Sequence, residues 1–146
     1  MILISSCLVG VNCRYNGSNS LNKDLEKLVL DGKAIALCPE LLGNLPTPRE
    51  SCEIIISKEG EQRILSSSGE DFTKAFRDGA EKTLQMCKIA GVKQAILQSR
   101  SPSCGYGKIY DGTFSGKLIP GNGFTAELLS KNGIEILTEE NYSPSQ

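Results

Sequence analysis

Three cysteines each follow a short apolar run of the kind that forms a buried strand: Cys7 after residues 2–4, Cys38 after residues 34–37, and Cys104 in the polar loop 99–105 that follows residues 95–98. In open α/β sheets, ligands bind in the loops outside the carboxyl ends of the strands. We therefore expect these three cysteines to meet at one point. Cys13 lies among Gly and Asn residues in the loop after the first run, and we group it with them.

The residue types present restrict the chemistry that is available. The chain has six cysteines and no histidine, which excludes histidine-ligated zinc sites, Cys–His nucleophile pairs and Ser–His–Asp triads. Any metal must be held mainly by thiolates, which are soft ligands suited to iron–sulfur clusters or zinc. Proton transfer must use a carboxylate, Tyr, Lys, Cys or water. Alternatively, scattered cysteines are only buried small apolar residues, and we interpret Cys52 and Cys87 in this way.

The size and charge of the chain are those of an ordinary soluble domain. It has 146 residues, of which 39% are hydrophobic and 23% charged, and a formal net charge of −1. This balance indicates neither a nucleic-acid partner nor a membrane partner, and the apolar run after Met1 is too short for a signal peptide or a membrane span. We expect a cytoplasmic protein, whose reducing compartment argues against disulfides. The oligomeric state stays open.

Apolar periodicity predicts strands that alternate with helices. Strands are expected over residues 2–6, 34–37, 92–98 and 134–137, and helices over 21–30, 72–90 and 126–131. This alternation predicts an α/β fold: a single small Rossmann-like domain with a mostly parallel sheet flanked by helices, over residues 1–137. Three further segments are expected to be a small β-hairpin insertion (53–65), a polar, turn-rich loop (108–117) and a polar tail (138–146).

Polar residues close to the cysteines are candidates for catalysis and binding. Glu40, two residues after Cys38, is placed to act as a general acid–base, although a Glu in the first turn of a helix is also favoured by the helix dipole. The other candidates are polar or aromatic residues of the predicted loops: Ser101, Ser103, Arg14, Tyr15 and Arg49. Each of these residue types is also common in turns or on a solvated surface, so both interpretations stay open.

Several segments, taken together and in order, resemble a family that was long carried as a domain of unknown function and that includes the thiouracil desulfidases. They are Cys7-Leu-Val-Gly10, Asn12-Cys-Arg-Tyr-Asn-Gly17, Cys38-Pro-Glu40, Leu45-Pro-Thr-Pro-Arg49, Ser99-Arg-Ser-Pro-Ser-Cys-Gly105 and Tyr110-Asp-Gly-Thr-Phe-Ser-Gly116. The resemblance covers residues 1 to about 137. It is specific for the family and less specific for the substrate.

The resemblance implies a 4Fe–4S cluster held by Cys7, Cys38 and Cys104, with one iron left open and Cys13 as a non-ligating neighbour. The thiocarbonyl sulfur of a thiolated nucleobase or nucleotide would bind the open iron, which acts as a Lewis acid. Water would attack the ring carbon and sulfur would stay on the cluster, without net electron transfer. Glu40 and Ser101 correspond to the family's catalytic residues, as the acid–base and as an orienting hydroxyl. Arg14, Tyr15, Arg49 and Ser103 are then expected to bind the substrate.

Other functions stay open from the residues alone. The chain could be a non-catalytic iron–sulfur or zinc-binding module, a metal-free enzyme with Cys104 as a thiolate nucleophile, or a structural protein with buried thiols. Two positions depart from the family pattern: Asn16 stands where an acidic residue is common, and Asn44 where a Gly is common. The physiological substrate is therefore not fixed by the sequence.

Overall fold

The computed structural model describes residues 1–143, which contain eight strands and four helices. The strands are β1 (Ile2–Ser5), β2 (Ala34–Leu37), β3 (Cys52–Ile56), β4 (Gln62–Ser66), β5 (Gln94–Leu97), β6 (Lys108–Tyr110), β7 (Leu118–Pro120) and β8 (Glu135–Thr138). The helices are α1 (Lys23–Leu30), α2 (Pro39–Leu42), α3 (Thr73–Ala90) and α4 (Phe124–Lys131), and a turn of 3-10 helix spans Ser6–Val9. No helix in this part of the chain has the length and apolar character needed to cross a membrane.

Four parallel strands form the central sheet in the order β2-β1-β5-β8. Their ends are in register, because Ser5 of β1 lies beside Leu37 of β2, and Leu97 of β5 lies beside Thr138 of β8. The carboxyl ends of all four strands therefore lie along one edge of the sheet. This arrangement confirms the predicted α/β fold with a mostly parallel sheet flanked by helices.

Helices cover both faces of this sheet. Successive side chains of a strand point to opposite faces, and Leu3 packs with Cys87 of α3 and Leu129 of α4, whereas Ile4 packs with Leu25 of α1. Burial of apolar side chains on both faces is what holds parallel strands in place. Cys87 is fully buried in the first of these clusters, which confirms that it is a core residue.

Helix α4 begins two residues earlier than the sequence predicted. A helix that began at residue 126 would have Thr125 as its cap, and this expectation is wrong, because Gly123 is the capping residue and Thr125 lies buried inside the helix. The backbone N–H groups of Phe124 and Thr125 donate to the carbonyl oxygens of Pro102 and Ser103. The first turn of α4 is therefore fixed by the loop after β5, which a local capping rule does not take into account.

Two antiparallel hairpins lie beside the sheet. Strands β3 and β4 pair with Ile54 opposite Ile64, which confirms the predicted hairpin insertion. Strands β6 and β7 pair with Ile109 opposite Ile119, where the sequence predicted only a polar loop. Strands of three residues carry too little alternation to be recognised from sequence. Ile54, Ile64 and Ile109 share one buried cluster with Phe76 of α3, so both hairpins pack on that helix.

The segment after β8 differs from the polar tail that the sequence predicted. Thr138, its expected first residue, belongs to β8 and is buried. The carboxylate oxygens of Glu139 accept hydrogen bonds from the Ser99 N–H at 3.0 and 2.9 Å. The end of the described chain therefore anchors the loop after β5. The last residues of the predicted tail, 144–146, lie outside the described residues.

Candidate active site

A cavity of about 570 Å³ opens at the carboxyl edge of the parallel sheet. Within residues 1–143, five cysteines line it: Cys7, Cys13, Cys38, Cys52 and Cys104. Three of these follow neighbouring strands. Cys7 lies in the 3-10 turn after β1, Cys38 lies directly after β2 and before α2, and Cys104 lies in the loop after β5. The strand-end rule therefore brings the three predicted ligands to one cavity.

Cys13 joins two of these thiols. Its side chain is hydrogen-bonded to those of Cys38 and Cys7. The Cys38 bond lowers the pKa of Cys13, but the bond with Cys7 and burial outweigh it and raise the pKa to about 11. The bond with Cys13, together with burial, raises the pKa of Cys38 well above its ordinary value. Without a cation, this cavity therefore favours neutral thiols over thiolates.

Two hydroxyl groups surround the sulfur of Cys104. Ser5 Oγ donates to Cys104 Sγ at 3.3 Å, and Ser103 Oγ lies 3.7 Å from the same sulfur. Burial nevertheless raises the pKa of Cys104 to about 12. On the neighbouring strand end, Cys7 Sγ donates to Gln98 Oε1 at 3.3 Å. The side chains of Ser5 and Gln98 are thus the polar neighbours that orient these two sulfurs.

Glu40 occupies the first turn of α2, directly after Cys38 and Pro39. Its Oε1 atom lies 3.3 Å from Arg49 Nη2, and its Oε2 atom accepts a hydrogen bond from Ser103 Oγ at 3.3 Å. Burial raises the pKa of Glu40, and the Arg49 guanidinium opposes that shift. A carboxyl group with these partners lies on the cavity wall in one orientation and holds its proton to a higher pH than an exposed Glu.

Ser101 lines the cavity in the loop after β5. Its Oγ atom accepts a hydrogen bond from the Cys104 N–H at 2.7 Å and lies 3.3 Å from Ser103 Oγ. Because one lone pair of the hydroxyl is used by this backbone donor, its proton can point to Ser103 or into the cavity.

Arg49 and Ser103, which the sequence predicted to bind substrate, do not line the cavity. The Arg49 side chain is only 6% exposed, and Nη2 donates to the Cys13 carbonyl at 2.9 Å besides its pair with Glu40. Ser103 is fully buried. Both side chains contact Glu40 instead. The spacing of residues in an irregular loop does not show in which direction each side chain points. The sequence therefore did not distinguish residues that line the cavity from residues that lie next to its lining.

Arg14 and Tyr15, the other two predicted binding residues, do line the cavity. Arg14 Nη1 donates to Ser20 Oγ at 3.1 Å, which fixes its guanidinium within its own loop. Tyr15 is 42% exposed, so its ring lies at the open side of the cavity. The structure therefore brings these two together with Glu40 and Ser101 around one space.

Several wall residues were not recognised from the sequence. Ser5 and Gln98 stand at strand ends, and the rule that found the cysteines would also have found them. Four more lie on the two hairpins: Cys52, Glu53, Tyr110 and Phe114. We had interpreted Cys52 as structural, but it faces the cavity, and burial raises its pKa to about 12. The family resemblance includes the segment that contains Tyr110 and Phe114, but no sequence signal shows where a hairpin docks, so the place of these residues at the cavity could not be assigned.

The side chains that could act as donors at the cavity are mainly thiols. No group of three or more His, Cys, Asp or Glu side chains within residues 1–143 is arranged to hold a metal ion. The cavity instead presents several thiols around a volume of about 570 Å³. Cysteine thiolates are the ligands that iron–sulfur clusters require. By ligand chemistry, the residues present therefore fit such a cluster.

Comparisons with known proteins agree with this chemistry. A sequence profile of a family described as 2-thiouracil desulfurase matches residues 2–141. The uncharacterized protein YbbK of Bacillus subtilis (strain 168) is 49% identical over 144 residues, which are 95% of each chain. A solved structure, that of the [4Fe-4S]-dependent thiouracil desulfidase TudS, is 40% identical, with a TM-score of 0.86 over 95% of this chain and 90% of that chain.

Proposed function

The chain belongs to the 2-thiouracil desulfurase family, enzymes that act on a carbon–sulfur bond, and from this premise we propose that it is an iron–sulfur-dependent desulfidase of thiolated pyrimidines. The product would be the oxo form of the base or nucleotide. The observation that supports this function most directly is the meeting of three strand-end cysteines and a partly buried carboxyl group at one cavity. The partner is then a small thiolated molecule.

We assign Cys7, Cys38 and Cys104 as the ligands of a 4Fe–4S cluster. Three protein ligands leave one coordination position open, as catalytic metal sites do. When bound, the cluster supplies a soft Lewis acid that prefers a thiocarbonyl sulfur over an oxygen. The chain's part is to give up three thiol protons and to hold the sulfurs in place. Ser5 Oγ donates to Cys104 Sγ and can keep this hydrogen bond to the thiolate, as neighbours of metal ligands commonly do. Gln98 Oε1 accepts from Cys7 Sγ only while Cys7 is a thiol.

Glu40 is assigned as the general acid–base. The attack of water on the ring carbon releases protons, and departure of sulfur requires proton movement in the same place. Burial favours the protonated form of Glu40, and the Arg49 guanidinium favours the charged form. These two opposing effects act on the same carboxyl group, and the net result is a pKa above that of an ordinary Glu. Arg49 and Ser103 hold the carboxyl group in one orientation through its two oxygens.

Ser101 is assigned as the orienting hydroxyl. The Cys104 N–H fixes the position of Ser101 Oγ, and its proton can then be donated to a ring nitrogen or oxygen of the substrate. Replacement of sulfur by the oxygen of water leaves the oxidation state of the ring carbon unchanged. The reaction therefore balances as thiocarbonyl plus water giving carbonyl plus sulfide, without an electron donor or acceptor.

The metal-free alternative is not favoured by the surroundings of Cys104. A cysteine nucleophile reacts as the thiolate and therefore needs a lowered pKa. Burial raises the pKa of Cys104 to about 12. Cys104 without a metal would be an inert thiol at neutral pH.

The function is tested by iron and acid-labile sulfide per chain on anaerobically reconstituted protein, and by the loss of 2-thiouracil and 4-thiouracil absorbance. We expect bound iron in the wild type and in Glu40→Gln, and a fall in kcat of about 100-fold or more in Glu40→Gln. Glu81→Gln, which changes an exposed carboxylate, is the matched control and should behave as wild type. Absence of iron after reconstitution would overturn the proposal, and loss of iron in Glu40→Gln would overturn its non-ligating role.

A further inference from the structure

The loop between β6 and β7 is part of the cavity, but the proposed chemistry gives it no role. Tyr110, at the end of β6, and Phe114, in the middle of the loop, both line the cavity that the thiols line. Phe114 is 36% exposed, so its ring is not a core side chain. An aromatic ring held at the wall of a binding cavity without being buried has a face available for a ligand.

A buried carboxylate holds this loop in place. Glu53 of β3 is 8% exposed. Its Oε1 atom accepts hydrogen bonds from the N–H groups of Gly112, at 2.9 Å, and Phe114, at 3.2 Å. Burying a charged group is unfavourable unless hydrogen bonds compensate, and here both donors belong to the loop. The conformation of the loop and the burial of Glu53 therefore depend on each other.

The backbone of the loop shows that its shape is specified. Phe114 has φ 57°, a left-handed conformation that side chains other than Asn and Asp rarely adopt. Gly112 has φ 92°, and a Cβ atom there would lie 3.0 Å from the carbonyl oxygen of Ile54. Asp111 Oδ1 accepts from the Thr113 N–H at 2.9 Å and closes the turn between them. Unfavourable backbone conformations that persist because their surroundings fix them are common at ligand-binding sites.

We propose that Phe114 is a specificity-determining residue that stacks on the planar ring of the substrate, and that Glu53 is the residue that positions it. The inference rests on the proposed function, because it names the ring as the part of the substrate that Phe114 recognises. A heteroaromatic ring presents a flat face that an aromatic side chain binds in an offset stack. Tyr15, which is 42% exposed and lines the same cavity, supplies a second aromatic surface.

The test compares Phe114→Leu with wild type and with Phe114→Tyr, using anaerobically reconstituted protein and 4-thiouracil. Phe114→Leu keeps an apolar side chain but loses the ring face, so we expect KM to rise about tenfold while kcat changes less than about twofold. Phe114→Tyr keeps the ring face and should restore the wild-type KM. Iron content and the visible spectrum should be the same in all three. Tyr106→Leu is the matched control, because Tyr106 is 37% exposed but does not line the cavity.

Two variants test the positioning role of Glu53. Glu53→Met keeps the length of the side chain but removes the acceptor, and it should raise KM as Phe114→Leu does. Glu53→Gln keeps an acceptor oxygen and should lie close to wild type. A KM that is unchanged in both Phe114→Leu and Glu53→Met, or a loss of iron that accompanies the change in KM, overturns the inference.

Binding of uracil, measured by isothermal titration on the same variants, separates this inference from the proposed function. If the wild type binds uracil but does not consume either thiouracil, the proposed function fails, and the Kd ratio between Phe114→Leu and wild type decides the inference. If the wild type consumes thiouracil and Phe114→Leu has unchanged KM and Kd, only the inference fails. If the wild type neither binds nor consumes a pyrimidine, both are overturned.

Discussion

Two walls of the cavity are built in different ways. The thiol wall consists of Cys7, Cys38 and Cys104, which follow three neighbouring parallel strands. The hairpin wall consists of four residues on the two antiparallel hairpins: Cys52, Glu53, Tyr110 and Phe114. The thiol wall is fixed by the register of a sheet that is buried on both faces. The hairpin wall is fixed by the packing of short strands on α3 and by the hydrogen bonds that Glu53 accepts.

Under the proposed function, this difference predicts separate roles for the two walls: the thiol wall binds the cofactor, and the hairpin wall recognises the substrate. Ligands of a cofactor must keep their positions, and the three cysteines of the thiol wall follow strands of a sheet that is buried on both faces, which limits how far their backbone can move. Recognition of a substrate tolerates more freedom, and loops on a rigid scaffold commonly provide it. We therefore expect changes in the thiol wall to alter cofactor content and kcat, and changes in the hairpin wall to alter KM alone.

The largest effect is expected for Cys104→Ser in the thiol wall, because Cys104 is a proposed cluster ligand. Serine has nearly the same size but is a hard ligand that iron–sulfur clusters bind poorly. We expect the variant to fold, to lose most of its iron, and to show no measurable turnover of thiouracil. Iron and sulfide analysis, visible absorbance and far-UV circular dichroism measure these three properties.

Cys87→Ser is the control for this variant, because Cys87 is buried in the core and does not line the cavity. It introduces a buried hydroxyl without an assigned partner, which we expect to lower the free energy of unfolding by about 1–3 kcal/mol. Iron content should stay at the wild-type level. If Cys87→Ser lost iron while Cys104→Ser kept it, the assignment of the thiol wall would be contradicted.

The next largest effect is expected at the contact between α3 and α2, the helix on which Glu40 lies. Helices α2 and α3 approach each other at Gly79, where a Cβ atom would overlap the carbonyl oxygen of Pro39. Gly79→Ala must displace α2, and overpacking of this kind costs about 1–3 kcal/mol of stability. Because small misplacements of a catalytic group are costly, we expect kcat to fall by about tenfold to 100-fold. KM should change little, since the hairpin wall is not part of this contact.

Urea unfolding and steady-state kinetics measure the two effects of Gly79→Ala. Glu81→Ala, on the exposed side of the same helix, is the control and should leave both properties unchanged. A variant that lost stability but kept the wild-type kcat would show that Glu40 does not depend on the position of α2.

The same contrast explains how much the sequence could predict. Four apolar runs predicted the four strands of the parallel sheet, and the shared direction of parallel strands then placed Cys7, Cys38 and Cys104 at one edge. Nothing beyond local pattern was needed for this step. The hairpin wall depends on long-range docking, because Glu53 and Phe114 are distant in sequence and meet only through the fold. The strands β6 and β7 were also too short to be recognised.

The directions of side chains in loops were a second feature that the sequence could not predict. The family resemblance placed Arg49 and Ser103 among the substrate-binding candidates, whereas the structure shows both in contact with Glu40 and not on the cavity wall. Residues 138–146 were predicted to be a polar tail, yet the carboxylate of Glu139 accepts a hydrogen bond from the Ser99 N–H. Both cases depend on the direction of a single side chain in irregular backbone, for which neither periodicity nor composition carries information.

The smallest effect is expected at the charged contact that joins the hairpin side of the molecule to α3. Asp71 Oδ1 accepts from the Thr73 N–H at 2.8 Å, and Oδ2 accepts from Arg63 Nε of β4 at 2.6 Å. The Thr73 hydrogen bonds, followed by Arg63, lower the pKa of Asp71 to about 2. A lowered pKa in the folded state gives stability that is present above the unfolded pKa, near 4, and is lost as the pH falls towards 2.

Asp71→Asn should therefore lower the free energy of unfolding at pH 7 by less than about 1 kcal/mol, because the contact is exposed and screened by solvent. Urea unfolding at pH 7, 4 and 2.5 measures how the difference between wild type and variant depends on pH, and we expect it to shrink below about pH 4. A difference that stays constant over this range would show that the Asp71 contact does not act through its charge. Iron content at pH 7 should be unchanged, because the contact lies on the hairpin side and not at the thiol wall.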